Sequence, residues 1–235
     1  MITNTNLNYN DFIKGEVLLI NKPLEWTSFD VVNKLKYYIQ NNITFKKLKV
    51  GHAGTLDPLA TGLIIVCTGK QTKQIEKYQS QTKEYIATLK FGATTPTFDC
   101  EMDEDEHFPY EHINIDLIKK TLNNFTGEIM QVPPIHSAIK INGVAAYKYA
   151  RKGKDVKLKA KPLKIDKFEI LDFSLPVLKL RIVCSKGTYI RALARDIGKD
   201  LNSGAYLIGL QRTKIGDYSV NDAIEISDFK NFIKI

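Results

Sequence analysis

The stretch Lys49-Val50-Gly51-His52-Ala53-Gly54-Thr55-Leu56-Asp57-Pro58-Leu59-Ala60-Thr61-Gly62-Leu63-Ile64 sets one carboxylate in a glycine-rich segment that runs directly into an apolar one. Pro58 fixes its own φ and biases Asp57 toward extended backbone, and the glycines at 51, 54 and 62 allow close approaches that a side chain would block. Behind them Leu63-Ile64-Ile65-Val66-Cys67 is a continuous apolar run bounded by Gly62 and Gly69, which reads as a buried strand. Asp57 is therefore expected on an irregular but braced loop leading into the core. An isolated Asp-Pro pair is ordinarily just a turn. His52, two threonines and the lack of a second acid in the loop point instead to a site built around one carboxylate.

Upstream, Glu16 to Ile20 reads as a strand running into Asn21-Lys22-Pro23, after an N-terminus (residues 1–14) expected to be frayed. Thr27 or Ser28 can cap a helix carrying Phe29, Val32, Leu35, Lys36 and Ile39 at helical spacing. Lys22 can hold a phosphate, hold the loop, or simply end a strand in solvent. Lys46, Lys47 and Lys49 place positive charge beside Asp57, in a pattern that is often only a solvated face. Downstream, Lys70 to Ser80 is a short helical stretch, and Lys83 to Gly92 alternates as a half-buried strand. Tyr85 lies on that strand, where an aromatic is ordinarily core.

The chain has 235 residues, enough for one substantial core or two small ones, and a formal charge of +8, which favours a polyanionic partner. Cys67, Cys100 and Cys184 are odd in number and lack metal-ligand spacing, so neither a disulfide framework nor a zinc site is indicated. No apolar signal region or membrane-length stretch is present, and a cytoplasmic location is expected.

From Asp99 to Asp116 there are eight acidic residues and no lysine or arginine. Their spacing matches no ion-binding pattern, so an exposed acidic loop is expected rather than a divalent-metal site. Ile115 to Phe125 reads as a helix. Between Lys140 and Lys164 nine lysines or arginines face one acid, interleaved with Tyr147 and Tyr149. Such a segment can displace counterions from a phosphate backbone and offer rings to bases. Ala145 to Arg151 reads as helical, and two strand candidates, Phe168 to Phe173 and Leu178 to Ser185, follow. Ser185-Lys186-Gly187-Thr188-Tyr189-Ile190-Arg191 then opens a helix through Ile197. Gly204 to Gly216 is strand-like, and Asp222 to Ile235 is expected to be a terminal helix. A carboxylate needed as an anion away from water requires a cation or hydrogen bonds, and the planar fork of an arginine supplies both. Arg191 is a candidate, with a surface pair to Asp196 or a phosphate contact as alternatives.

Gly51 to Gly62 closely resembles the catalytic motif of the TruB-type tRNA pseudouridine synthases, and shorter resemblances occur at Asn21-Lys22-Pro23, Lys83 to Tyr85, Gln131 to Lys140, Ser185 to Arg191 and Gly204 to Gly216. They cover roughly Gly15 to Tyr218. The resemblance implies an α+β pseudouridine synthase fold with a largely antiparallel mixed sheet, flanking helices and a basic thumb-like insertion at about 133–161 within a catalytic domain at 15–235. It implies Asp57 as the catalytic aspartate, Arg191 as its partner, and Tyr85 as the ring that packs on the target uracil. His52 would occupy space vacated in the RNA loop or brace the catalytic loop. Lys22, Lys49, His136, Lys140, Tyr147, Arg151, Lys152, Lys154 and Tyr189 are the expected RNA contacts. His136 and Gln211 depart from the family pattern, which has tyrosine and arginine at these positions. The expected partner is the T-arm of tRNA, bound by a monomer without cofactor, metal or membrane. The expected domain organisation includes no complete C-terminal barrel of the PUA type.

Pseudouridine formation breaks the N1–C1′ bond of a uridine and remakes it from C5. Asp57 could attack C1′ or C6, or stabilise a cationic sugar. The target must be flipped out of a folded loop, at a cost of a few kcal/mol that stacking can offset. Two readings stand beside this one. A non-catalytic RNA-binding protein on the same fold would need the basic and aromatic residues but not Asp57 with Arg191, and an RNA glycosidase would release free uracil.

Overall fold

The structure, a computed structural model, describes residues 7–40, 48–154 and 156–233. Lys46 and Lys47, expected beside the loop, lie outside the described residues. The chain divides into two compact units, one of residues 1–85 and 210–235 and one of residues 86–209.

In the first unit the strand Ala60–Thr68 is central. It pairs antiparallel with Val17–Lys22, from Val17 opposite Cys67 to Lys22 opposite Gly62, and with the short strand Val50–His52. Leu210 to Arg212 pair with it in parallel, Arg212 opposite Gly62. Both faces are covered, which is why its apolar run is continuous rather than alternating. Ile64 and Val66 pack with Leu18, Ile20, Phe12, Phe229 and with Val31, Leu35 and Ile39 of the helix Ser28–Gln40. Leu63, Ile65 and Cys67 pack with Leu19, Tyr78 and Ile215. Burial raises the Cys67 thiol to a pKa of about 11, as expected of an inert core cysteine.

Two expectations at the chain ends are corrected. Tyr9–Lys14 is a helix rather than part of a frayed start. The Asn8 side chain accepts from the Asn10 and Asp11 amides, the Asp11 carboxylate accepts from the Asn8 amide, and Phe12 is fully buried. At the other end no terminal helix forms among the described residues. Ile224–Glu225 adds in parallel to Ile20 and Asn21, and the turn Phe229–Phe232 buries Phe229. Apolar spacing that also suits a helix is satisfied here by one strand contact and one tight turn, because the sheet edge offers backbone partners that an isolated short helix lacks.

In the second unit the long strand Lys161–Ser174 pairs antiparallel with Val177–Cys184 on one side and with Gly127–Gln131 on the other. The helices Ile115–Asn124 and Ile190–Asp200 bury Ile118, Leu122, Ala192, Leu193 and Ile197. Asn114 caps the first of them by accepting from the Asp116 and Leu117 amides. The basic segment that begins at Lys140 contains a small hairpin, Lys140–Ile141 with Val144–Ala145, and the helix Ala146–Ala150. Pairing is mixed and mostly antiparallel, in accord with the expected α+β class. No helix among the described residues is long and apolar enough to cross a membrane.

Candidate active site

In the first unit, the backbone around Asp57 is tied down from three directions. Ser28 Oγ accepts from the Leu56 amide at 2.8 Å and donates to the Leu56 carbonyl at 3.1 Å. Of the two candidate caps, Thr27 takes the role, accepting from the Asp30 amide at 3.0 Å, which leaves the Ser28 hydroxyl for the loop. Arg212, only 1% exposed, donates from Nε to the Leu63 carbonyl at 2.7 Å, and from its Nη atoms to Thr55 at 3.4 Å and Gly54 at 3.2 Å. Gly62 makes this possible. At φ +102°, a Cβ there would lie 2.3 Å from the Arg212 carbonyl oxygen.

The third tie corrects an expectation. Lys22, expected among the RNA contacts, is fully buried. Its three protons go to the carbonyls of Pro23 at 2.9 Å, Trp26 at 2.5 Å and Pro58 at 3.2 Å, so none remains for a phosphate. Burial lowers its pKa to about 8, a shift that the nearby Asp57 carboxylate partly offsets. The Asp57 carbonyl closes a turn by accepting from the Ala60 amide at 3.0 Å. The result is a partly exposed carboxylate on a backbone with little freedom to move.

His52 ends the strand Val50–His52, half-buried opposite Val66, and burial lowers its pKa below the ordinary histidine value. Tyr85 is 8% exposed, on the buried face of the regularly alternating strand Lys83–Phe91. Lys49 is exposed, and its carbonyl accepts from the Gly69 amide.

In the second unit Arg191 is buried as well. Nη1 donates to the Thr97 carbonyl at 2.9 Å, Nη2 donates to the His136 carbonyl at 3.0 Å, and Nε lies 3.5 Å from Asp99 Oδ2. The surface pair with Asp196 considered from the sequence is made by Arg195 instead, at 2.8 Å. Asp99, expected in the exposed acidic loop, is 5% exposed because it faces this guanidinium, whereas Glu101, Asp103, Asp105, Glu106 and Glu111 are exposed. The Gln131 side chain fixes the start of the helix that carries Arg191, accepting from the Tyr189 amide at 3.0 Å and donating to the Tyr189 carbonyl at 3.2 Å.

His136 and Tyr189 are half-buried, and Lys140, Arg151, Lys152 and Lys154 are exposed. The Arg151 guanidinium lies 5.3 Å from the centre of the half-buried Tyr147 ring. Arg212 and Asp99 were not singled out from sequence as site residues, and Ser28 was named only as a helix cap. Arg212 stands in its strand among Gln211, Thr213 and Lys214, so its charge gave no signal that it would be buried. Among the described residues no group of three or more His, Cys, Asp or Glu is placed to hold a metal ion.

Residues 42–190 match the family described as TruB family pseudouridylate synthase (N terminal domain). The chain belongs to that family. A relative from Parabacteroides distasonis, named tRNA pseudouridine synthase B, is 58% identical over 230 residues, covering 96% of this chain and 98% of its own length. One of the same name from Flavobacterium johnsoniae is 53% identical, covering 95% and 98%. Among solved structures, a chain of a Cbf5-Nop10-Gar1 complex matches with a TM-score of 0.69 and 26% identity. The match covers 94% of this chain and 54% of that one, so this TruB-family chain spans about half the length of that solved relative.

Proposed function

We propose that this TruB-family enzyme is a tRNA pseudouridine synthase that isomerises the T-loop uridine at position 55. The observation that carries the reading is the fixing of the Asp57 loop by Ser28, Lys22 and Arg212. A single carboxylate held in place by buried donors suits a reaction whose detached base must be recaptured before it escapes. The reaction is internally balanced. The N1–C1′ bond breaks, C5 bonds to C1′, the C5 proton leaves and N1 gains one, so no redox partner is required. Asp57 acts as nucleophile toward C1′ or C6, or as counter-charge to a cationic sugar.

In this reading Arg191 is the counter-charge to Asp57, Tyr85 packs on the uracil and His52 supports the catalytic loop or fills the RNA loop. The exposed bases Lys49, Lys140, Arg151, Lys152 and Lys154 meet the phosphates of the tRNA T-arm, with His136, Tyr147 and Tyr189 nearby. The enzyme acts as a monomer, without metal or cofactor.

The test is to incubate wild type and Asp57→Asn with an unmodified tRNA transcript, without metal or nucleotide cofactors, and to map pseudouridine by carbodiimide-dependent primer-extension stops. A stop at the T-loop uridine with wild type alone is expected. Binding by both proteins without modification would leave an RNA-binding protein, and release of free uracil would identify a glycosidase.

A further inference from the structure

The turn and helix start that hold the Asp57 loop also turn large apolar side chains out to solvent. Leu24 is 53% exposed and Phe29 65% exposed, the latter being the most exposed large hydrophobic residue described in the chain. Neither position is loose. Leu24 sits between Pro23, whose carbonyl binds Lys22 Nζ, and Glu25, whose amide donates to the Pro58 carbonyl at 2.9 Å. Glu25 takes φ +65°, a left-handed conformation uncommon in a non-glycine residue, and so turns the chain sharply at this point. Phe29 follows Ser28, whose hydroxyl holds both backbone groups of Leu56. Pro58, itself exposed, lies next to Asp57. Leu24 and Phe29 thus each adjoin a residue bonded to a neighbour of Asp57, Glu25 to Pro58 and Ser28 to Leu56, and Pro58 is itself such a neighbour.

We propose that this ledge receives the face of the nucleobase next to the target uridine, an inference that rests on the pseudouridine synthase reading. Extruding one nucleotide strips its neighbours of a stacking partner, and an apolar surface at the rim of the site replaces that partner. The local charge favours a base over a phosphate. Glu25 is exposed, and Asp30 is held as a carboxylate by its hydrogen bonds to Thr27, so the ledge carries negative charge that repels the backbone. The ledge continues a surface that RNA must already reach if Asp57 meets its substrate, and its rigidity lets stacking occur without ordering a loop first.

The experiment measures the half-saturating concentration and the maximal single-turnover rate on a T-arm stem-loop for wild type, Phe29→Ala and Phe29→Tyr. The same RNA with abasic nucleotides flanking the target is run in parallel. Phe29→Ala is expected to raise the half-saturating concentration about tenfold on the intact RNA, with the maximal rate within about twofold. Phe29→Tyr, which keeps the ring, should match wild type. On the abasic RNA the Phe29→Ala effect should vanish. Unchanged saturation by Phe29→Ala, or an equal loss on both RNAs, would overturn the proposal, and thermal unfolding of each variant excludes misfolding as the cause. If wild type makes no pseudouridine, the functional reading fails by itself, and filter-retained binding of the same RNAs still reports whether Phe29 couples to a base.

Discussion

Lys22 Nζ donates to the Pro58 carbonyl at 3.2 Å, so the residue following Asp57 hangs from a fully buried ammonium. An ammonium held by three carbonyls and a neighbouring carboxylate, yet with a pKa of about 8, shows that burial outweighs those partners. The lysine secures the geometry of the loop at a cost in stability.

That cost sets a pH dependence. The folded pKa lies below the ordinary value of 10.5, so between about pH 8 and 10.5 the unfolded chain holds a proton that the folded one has released. The unfolded state then binds more protons, and the contribution of Lys22 to stability rises with pH across that window. Urea unfolding of wild type and Lys22→Met at pH 7 and pH 10 should show the difference shifting by about 2 kcal/mol in favour of wild type at the higher pH. A difference independent of pH would mean that Lys22 titrates as an exposed lysine does.

Asp99 faces the buried Arg191 guanidinium at 3.5 Å. Asp99→Ala takes away a carboxylate that faces a buried guanidinium, and breaking a buried pair by removing one partner costs about 3 kcal/mol. Urea unfolding should show this loss. Asp103→Ala, in the exposed part of the same acidic segment, should stay within about 0.5 kcal/mol of wild type.

The exposed bases of the insertion should act through phosphates. Replacing Arg151, Lys152 and Lys154 together by alanine should flatten the slope of log affinity against log salt by about 2, at roughly 0.7 to 0.9 for each phosphate that the variant no longer neutralises. Affinity for T-arm RNA measured across a salt series checks this, and an unchanged slope would place the segment away from the backbone.

Much of the local structure was legible from sequence because its causes are local. The alternation from Lys83 to Phe91, the continuous run after Gly62 and the helix after Thr27 each follow from side-chain periodicity and appear as expected. The ends of the chain were misread because a short amphipathic segment suits a helix or a strand equally well until a sheet edge or a core pocket is supplied. Lys22 was left open between a phosphate, the loop and solvent for a related reason, and the structure bears out the loop. A strand-end lysine is ordinarily solvated, and only the return of the Asp57 loop over it closes off water.

The sequence by itself determined which loop carries the carboxylate, because glycine, proline and the apolar strand behind them act within a few residues of Asp57. Only the tertiary structure decided what holds the two charged groups. Arg212 reaches the Leu63 carbonyl across 149 residues, and Arg191 reaches the Thr97 carbonyl across 94. Buried cations must find acceptors wherever the fold brings carbonyls together, and no local pattern encodes that meeting.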